Sequence, residues 1–307
     1  VHLDMRHLGD ERIYDRLENI IHLAEDFEGV NPVEEPMPVK PGQHYHMGGI
    51  ETNENGETCI TGLYAAGECA CASVHGSNRL GGNALPELIV LGARAGHHAA
   101  GKDMEAAQVP TGPSAKSEDE TSLETPVSPG EIGVDDDVAA DGGAIADPKA
   151  VVENAVERER QRIEDLLERD GTNHAEIRED LQKAMTENVN VFRNEEGLKK
   201  ALEVIRECRE RYQDVAVADP SRTFNTDLIH TIETRNLIDI AETITLGALA
   251  REEFRGAHWR QEHQERKDDE WLKHTMISWN GGSPDLYYKP VILEGENKEY
   301  EPKVRSY

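Results

Sequence analysis

Apolar positions recur at helical spacing in six stretches of this chain, separated by segments where glycine, proline or acid takes over. Leu85, Leu88, Ile89, Leu91 and Ala95 give a helix over 84–100 one apolar face. Ile177, Leu181 and Ala184 mark a helix over 174–187; Leu198, Leu202 and Ile205 mark another over 195–213, with a longer one over 226–254. Stripes of this kind are core-packing faces, so the second half reads as a helical bundle. Asp147 before Pro148 is an N-cap with proline at the first helical position, opening a charged helix to Arg169 that Asp170-Gly171 breaks. Near the start, a helix is predicted over 11–27, followed by a Pro-rich extended run from Asn31 to Pro41.

Three segments depart from that spacing. His44-Tyr45-His46-Met47-Gly48-Gly49-Ile50 and Gly62-Leu63-Tyr64-Ala65-Ala66-Gly67-Glu68 are predicted as strands, each punctuated by glycine. Ile277-Ser278-Trp279 and residues 286–293 flank Gly281-Gly282-Ser283-Pro284 and predict a hairpin, with Trp271, Trp279, Tyr287 and Tyr288 as packing anchors. Residues 105–146 hold Pro110, Pro113, Pro126, Pro129, Gly130 and Asp135-Asp136-Asp137 but few large apolar side chains. Such a segment cannot bury enough surface to offset its ordering entropy, so it is expected to be a mobile solvated insert rather than a catalytic lid.

Charge narrows the class of partner. Asp and Glu number 61 against 33 Lys and Arg, a net charge of -28, which disfavours direct binding of nucleic acid or anionic lipid. The acid excess is spread along the chain and aromatics are only 5%, the composition of a surface kept hydrated at molar salt; a halophilic source is expected. No apolar run reaches the ~18 residues of a membrane span, so a soluble chain is expected. Cys59, Cys69, Cys71 and Cys208 form no C-x-x-C pair, which argues for a reducing interior and against iron–sulfur ligation or a metal site within this chain.

The densest chemistry lies at Ser73-Val74-His75-Gly76-Ser77-Asn78-Arg79-Leu80-Gly81-Gly82-Asn83-Ala84-Leu85. A helix start offers unpaired N–H groups and the positive end of a dipole, and Arg79 adds a fixed cation. Together they form a candidate site for an anion, either a carboxylate substrate or a cofactor that becomes negative on reduction. The preceding order of strand, glycine turn, strand and Gly-Glu is how α/β nucleotide-binding domains place chemistry at strand ends.

The order HYxMGGI, GLYAAGE, SVHGxNRLGGN resembles the flavoprotein subunit of succinate dehydrogenase and fumarate reductase. So do the segment 3–9, the run Arg251-Glu252-Glu253-Phe254-Arg255-Gly256-Ala257-His258, Trp271-Leu272-Lys273-His274-Thr275 and the ending Pro302-Lys303-Val304-Arg305-Ser306-Tyr307. The resemblance implies an α/β-plus-α fold. Residues 1–43 would end a capping domain, 44–104 would complete an FAD-binding α/β domain, and 105–146 would be the acidic insert. A helical domain over 147–264 and a small α+β unit over 265–307 would follow.

It further implies that His44 and Arg79 grip a substrate carboxylate, and that Glu68 and the backbone at Ala84 and Leu85 contact the flavin. Ala84 stands where the family usually has Ser, which leaves backbone contacts intact and removes a hydroxyl. His75 and Asn78 are expected to support the site, and His7 and His46 to be structural. Arg251, Glu253, Arg255, His258 and Arg260, crowded at helical spacing, are expected to interlock and dock domains, with Phe254 in place of the usual Ser. FAD is the implied cofactor. Succinate and fumarate are the implied substrates, and an iron–sulfur subunit and, indirectly, membrane anchors the implied partners. The implied location is peripheral, on the cytoplasmic face of the membrane.

No G-x-G-x-x-G occurs in the chain. The family's flavin-linking histidine and proton-shuttle arginine also have no counterpart, so the chain is expected to be a C-terminal fragment that is inactive alone. L-Aspartate oxidase shares much of the pattern; Ser73-Val74, Gly81-Gly82 and the Pro-Lys-Val-Arg-Ser-Tyr ending favour the succinate/fumarate side. A non-catalytic half-protein with an assembly role is the remaining alternative.

Overall fold

A computed structural model describes residues 1–40, 42, 44–101, 148–280, 283–295 and 298–299. The expected insert at 105–146, the N-cap Asp147 and the closing Pro302–Tyr307 segment lie outside them.

The helical half follows its stripes closely. Helices α4 (Pro148–Glu168), α5 (His174–Asn188), α6 (Glu195–Tyr212) and α7 (Thr226–Ala250) pack around Leu166, Ile177, Leu181, Ile205, Cys208 and Ile238. Every residue of the two predicted stripes is buried. Three of these helices start on an asparagine whose Oδ1 accepts a first-turn N–H: Asn173 from Ala175 (2.7 Å), Asn194 from Gly197 (2.7 Å) and Asn225 from Leu228 (2.8 Å). Helix α7 buries polar residues as well, because Thr231, Thr234 and Thr245 return their hydroxyls to carbonyls four residues back. A two-residue parallel pair, β5 (Thr172–Asn173) with β6 (Val215–Ala216), joins the entry of α5 to the exit of α6.

Helix α7 stops earlier than the sequence pattern predicts. Arg251 is already extended (φ -91°, ψ 115°), so the charges at 251–260 sit on a folded loop rather than along a helix. The loop is held by a hairpin of β7 (Lys273–Asn280) and β8 (Ser283–Pro290), preceded by the short α8 (Asp268–Trp271). The hairpin is as expected, but its second strand runs 283–290 instead of 286–293, and Gly281 and Gly282 lie outside the described residues. Trp271 is the buried anchor and meets Tyr288 edge-on at 5.7 Å; Trp279 and Tyr288 are exposed over more than a third of their surface.

The first half is more irregular than predicted. The 11–27 helix is two, α1 (Asp10–Arg16) and α2 (Glu18–Glu28), parted where Leu17 leaves helical geometry (φ -129°) to let Ile13 and Ile21 share one small core with Met5. The run from Asn31 to Pro41 begins with a turn at 31–34 before β2 (Met37–Pro38) pairs with β1 (His2–Leu3). The two predicted glycine-bearing strands shrink to a parallel pair, β3 (Ile50–Glu51) and β4 (Ala70–Cys71), with residues 44–49 and 62–68 outside any strand apart from an isolated antiparallel bridge between Tyr64 and Glu57. The cause is local: Gly48, Gly49, Gly62 and Gly67 all take positive φ, which no extended ladder accommodates. Helix α3 (Ala84–Ala99) matches its prediction within a residue. Its apolar side chains divide, however: Leu88 and Ala95 turn inward to the 56–67 loops, and Leu85, Ile89 and Val90 are exposed.

Candidate functional site

The site is built where β3 and β4 deliver the chain to the start of α3. Gly49 makes the approach of the two segments possible: a Cβ there would lie 2.5 Å from the Cys69 carbonyl oxygen, and its φ of 133° suits no other residue. At the entry to α3, Asn83 has αR geometry and its side chain makes no cap. Among the described residues the N–H groups of Ala84 and Leu85 consequently have no acceptor, and Pro86 has no N–H to offer. Two backbone donors face outward at the positive end of a 16-residue helix.

Tyr45 is the centre of the side-chain cluster beside that end. Its hydroxyl donates to Glu87 Oε2 at 3.0 Å, and Glu87, in the first turn of α3, is almost wholly buried. The guanidinium carbon of Arg79 sits 4.1 Å above the Tyr45 ring. His75 meets the ring edge-on at 5.9 Å and approaches Glu87 Oε2 at 3.7 Å, with neither ring nitrogen hydrogen-bonded. Burial pushes the Tyr45 phenol up, and acceptance by Glu87 adds to the shift. Arg79 has no carboxylate within ion-pair distance among the described residues, so its N–H edge is open.

The sequence-predicted residues are therefore only partly brought together. Arg79 and His75 share the Tyr45 ring, and Ala84 and Leu85 adjoin them through α3. Glu68 lies after Gly67 (φ 84°) and pairs with His46 at 3.8 Å, giving His46 a definite partner. His44 and Asn78 are exposed and make no hydrogen bond among the described residues. Tyr45 and Glu87 were absent from the expected set. The available signals were an aromatic between two histidines and a lone acid in a helix's first turn.

A second support comes from far along the chain. Gly256 (φ 58°) lies directly under Ser77, where a Cβ would be 2.4 Å from the Ser77 carbonyl oxygen, and Ala257 N–H donates to that oxygen at 2.9 Å. Ser73 Oγ bonds His274 Nε2 of β7 at 3.2 Å. The turn bearing Gly256 is fixed by Glu253, fully buried, which accepts from Arg251 (2.5 Å), Arg255 (2.6 Å) and the Lys267 N–H (3.0 Å). Burial alone would push the Glu253 carboxyl up; these donors hold it below its ordinary range. Arg255 also binds Asp268, shared with Arg266. His258 Nε2 donates to the Arg251 carbonyl at 3.0 Å, and Nδ1 accepts from Arg193 at 3.2 Å. The Arg251–Arg260 loop thus meets the 73–79 loop through backbone contact.

Residues 1–85 match the family described as FAD binding domain, and residues 178–307 match fumarate reductase flavoprotein C-term. The chain belongs to the flavoprotein-subunit family of succinate dehydrogenases and fumarate reductases. It is 40% identical to the fumarate reductase flavoprotein subunit of Haemophilus influenzae, over 95% of this chain and 43% of that protein. With the succinate dehydrogenase flavoprotein subunit of Coxiella burnetii it shares 38% identity, over 99% of this chain and 47% of that protein. Among solved structures, an Escherichia coli quinol fumarate reductase FrdA variant superposes with a TM-score of 0.76 at 36% identity, covering 97% of this chain and 45% of that one. The chain spans a little under half the length of these relatives. FAD is the family's cofactor, and the two open N–H groups at α3 fit the anionic edge of such a group.

Proposed function

We propose that this chain forms the substrate-carboxylate grip and one wall of the flavin site in a succinate dehydrogenase/fumarate reductase flavoprotein. The open guanidinium of Arg79, beside His75 and the bare N-terminus of α3, carries this reading. A dicarboxylate buried without paired charge is strongly disfavoured, and a planar fork with unused N–H groups is the side chain that answers one carboxylate in two bonds. His44, exposed and next to Tyr45 in the chain, supplies a second donor. Glu68 and the Ala84 and Leu85 N–H groups face the flavin, the latter favouring negative charge on its pyrimidine end. Bound FAD supplies the redox step, accepting a hydride as succinate becomes fumarate or returning it in reverse. The residues here orient the substrate and balance its charge; the proton passes to a base outside this chain.

The exposed Leu85, Ile89 and Val90 of α3 are then covered by the remainder of the flavoprotein, and residues 1–43, 44–104, 105–146, 147–264 and 265–307 keep the division expected above. Electrons leave to an iron–sulfur subunit and quinone at the cytoplasmic face of the membrane. No described helix is long and apolar enough to cross it. By itself the chain neither turns over succinate nor retains FAD.

The test is steady-state kinetics of the flavoprotein containing these residues, with succinate and with L-aspartate. Arg79→Lys is expected to lower kcat/KM for succinate by about tenfold or more, the loss of one charge-assisted bidentate pair. Unchanged kinetics in that variant, or preferential turnover of L-aspartate, overturns the reading.

A further inference from the structure

Resting on that reading, we infer that Tyr45, anchored by Glu87, is a positioning residue that sets the plane of Arg79 for the substrate carboxylate. A free arginine side chain samples many rotamers, and a substrate that must order it binds more weakly by that entropy. Two devices could fix it. A carboxylate partner would do so by occupying the same N–H groups that the substrate needs. A stacked ring instead uses the flat face of the guanidinium and leaves its N–H edge free. The structure has the second arrangement: Arg79 lies 4.1 Å from the Tyr45 centroid.

The ring must itself be fixed to serve, and it is held at two points. Its hydroxyl is tied to Glu87 at 3.0 Å, its edge abuts His75 at 5.9 Å and 79°, and Glu87 is carried on the rigid first turn of α3. The buried Glu87 carboxylate is thereby engaged with the Tyr45 hydroxyl rather than with the guanidinium. The same turn carries the open N–H groups, so Glu87 relates the position of the cation to the position of those donors through a single helix. No step of this chain touches the reacting atoms; it acts through Arg79.

The experiment measures the dissociation constant of malonate, a non-reacting dicarboxylate, by calorimetry on the assembled flavoprotein, alongside KM and kcat for succinate. Tyr45→Phe keeps the ring face but loses the tie to Glu87 and is expected to raise the malonate constant about threefold, whereas Tyr45→Leu, which removes the face as well, raises it about tenfold, within the range ring–cation attraction supplies. KM follows the malonate constant while kcat changes less. Combined with Arg79→Lys, Tyr45→Leu is expected to add almost nothing further, since a lysine lacks the planar face that the ring orders. Equal losses in the Phe and Leu variants, no loss in the Leu variant, or full additivity with Arg79→Lys overturns the inference. Arg79→Lys alone without effect on malonate overturns the carboxylate grip itself, a separate outcome.

Discussion

Acidification from about pH 7.5 to about pH 5 is expected to destabilise the C-terminal half by about 2 kcal/mol through one histidine. Burial pushes His258 down from 6.5 to about 4; its bond to the Arg251 carbonyl opposes this, while the neighbouring Arg193, Arg251 and Arg260 charges reinforce it. The folded protein therefore keeps the ring neutral where the unfolded chain protonates it. Stability from this group is complete above pH 6.5 and is lost as pH falls toward 4. The whole shift corresponds to about 3 kcal/mol, of which about 2 is gone by about pH 5, where the unfolded histidine is almost fully charged and the folded one is not. The assay is urea unfolding followed by tryptophan fluorescence. It reports this region directly, because the protein's three tryptophans are Trp259, Trp271 and Trp279. His258→Gln provides the reference: its amide can donate to the Arg251 carbonyl and accept from Arg193 without titrating. The stability difference between parent and variant should shrink by about 2 kcal/mol across that range, every other ionisable group cancelling. A difference that stays constant with pH refutes the reasoning.

Glu253→Ala removes the carboxylate that Arg251 and Arg255 share, leaves the Lys267 N–H without its acceptor, and should cost about 3–5 kcal/mol in the same unfolding assay. Gly256→Ala forces a left-handed residue against the Ser77 carbonyl; about 1–2 kcal/mol of backbone strain is expected, with KM for succinate rising in the assembled flavoprotein as the 73–79 loop shifts. Cys208, buried with its thiol pushed up by that burial, should react with a thiol reagent only after unfolding, while the exposed Cys59 and Cys69 react at once, as mass spectrometry of the labelled peptides would show. With a net charge of -28, the protein should gain urea resistance between dilute buffer and molar potassium chloride, where the Debye length falls to about 3 Å; a salt-independent midpoint would count against the halophilic reading.

How much of this could be read from the sequence depends on the range of the interaction. The helices of the bundle were legible because Ile177, Leu181, Leu198 and Ile205 state their burial by spacing alone, and α3 because Leu88, Leu91 and Ala95 recur at helical spacing after a glycine pair; Asn83, placed to cap it, makes no side-chain cap. Helix α7 was read four residues too long, since Arg251, Glu253 and Arg255 continue a plausible helical charge pattern. What ends the helix is their pairing with one another and with the backbone around Trp271, which spacing does not express. The segments 44–50 and 62–68 look like strands by apolar content, yet glycines at positive φ take them out of the ladder. The resemblance pointed to Arg79 and His75, whereas Tyr45 and Glu87 became visible only once a 42-residue separation was closed in space.

The contacts under the 73–79 loop also set an order on assembly. Ser77 meets Ala257, Ser73 meets His274 across 201 positions, and Glu51 is paired with Lys289 across 238. Contacts so distant along the chain are slow to form, because the intervening loop must close before they contribute anything. During synthesis the loop that carries Arg79 emerges long before the residues that seat it. The carboxylate grip is thus completed only when the β7–β8 hairpin has folded back onto the 73–79 loop made before it, so a chain interrupted before β7 leaves the ribosome without a finished binding loop.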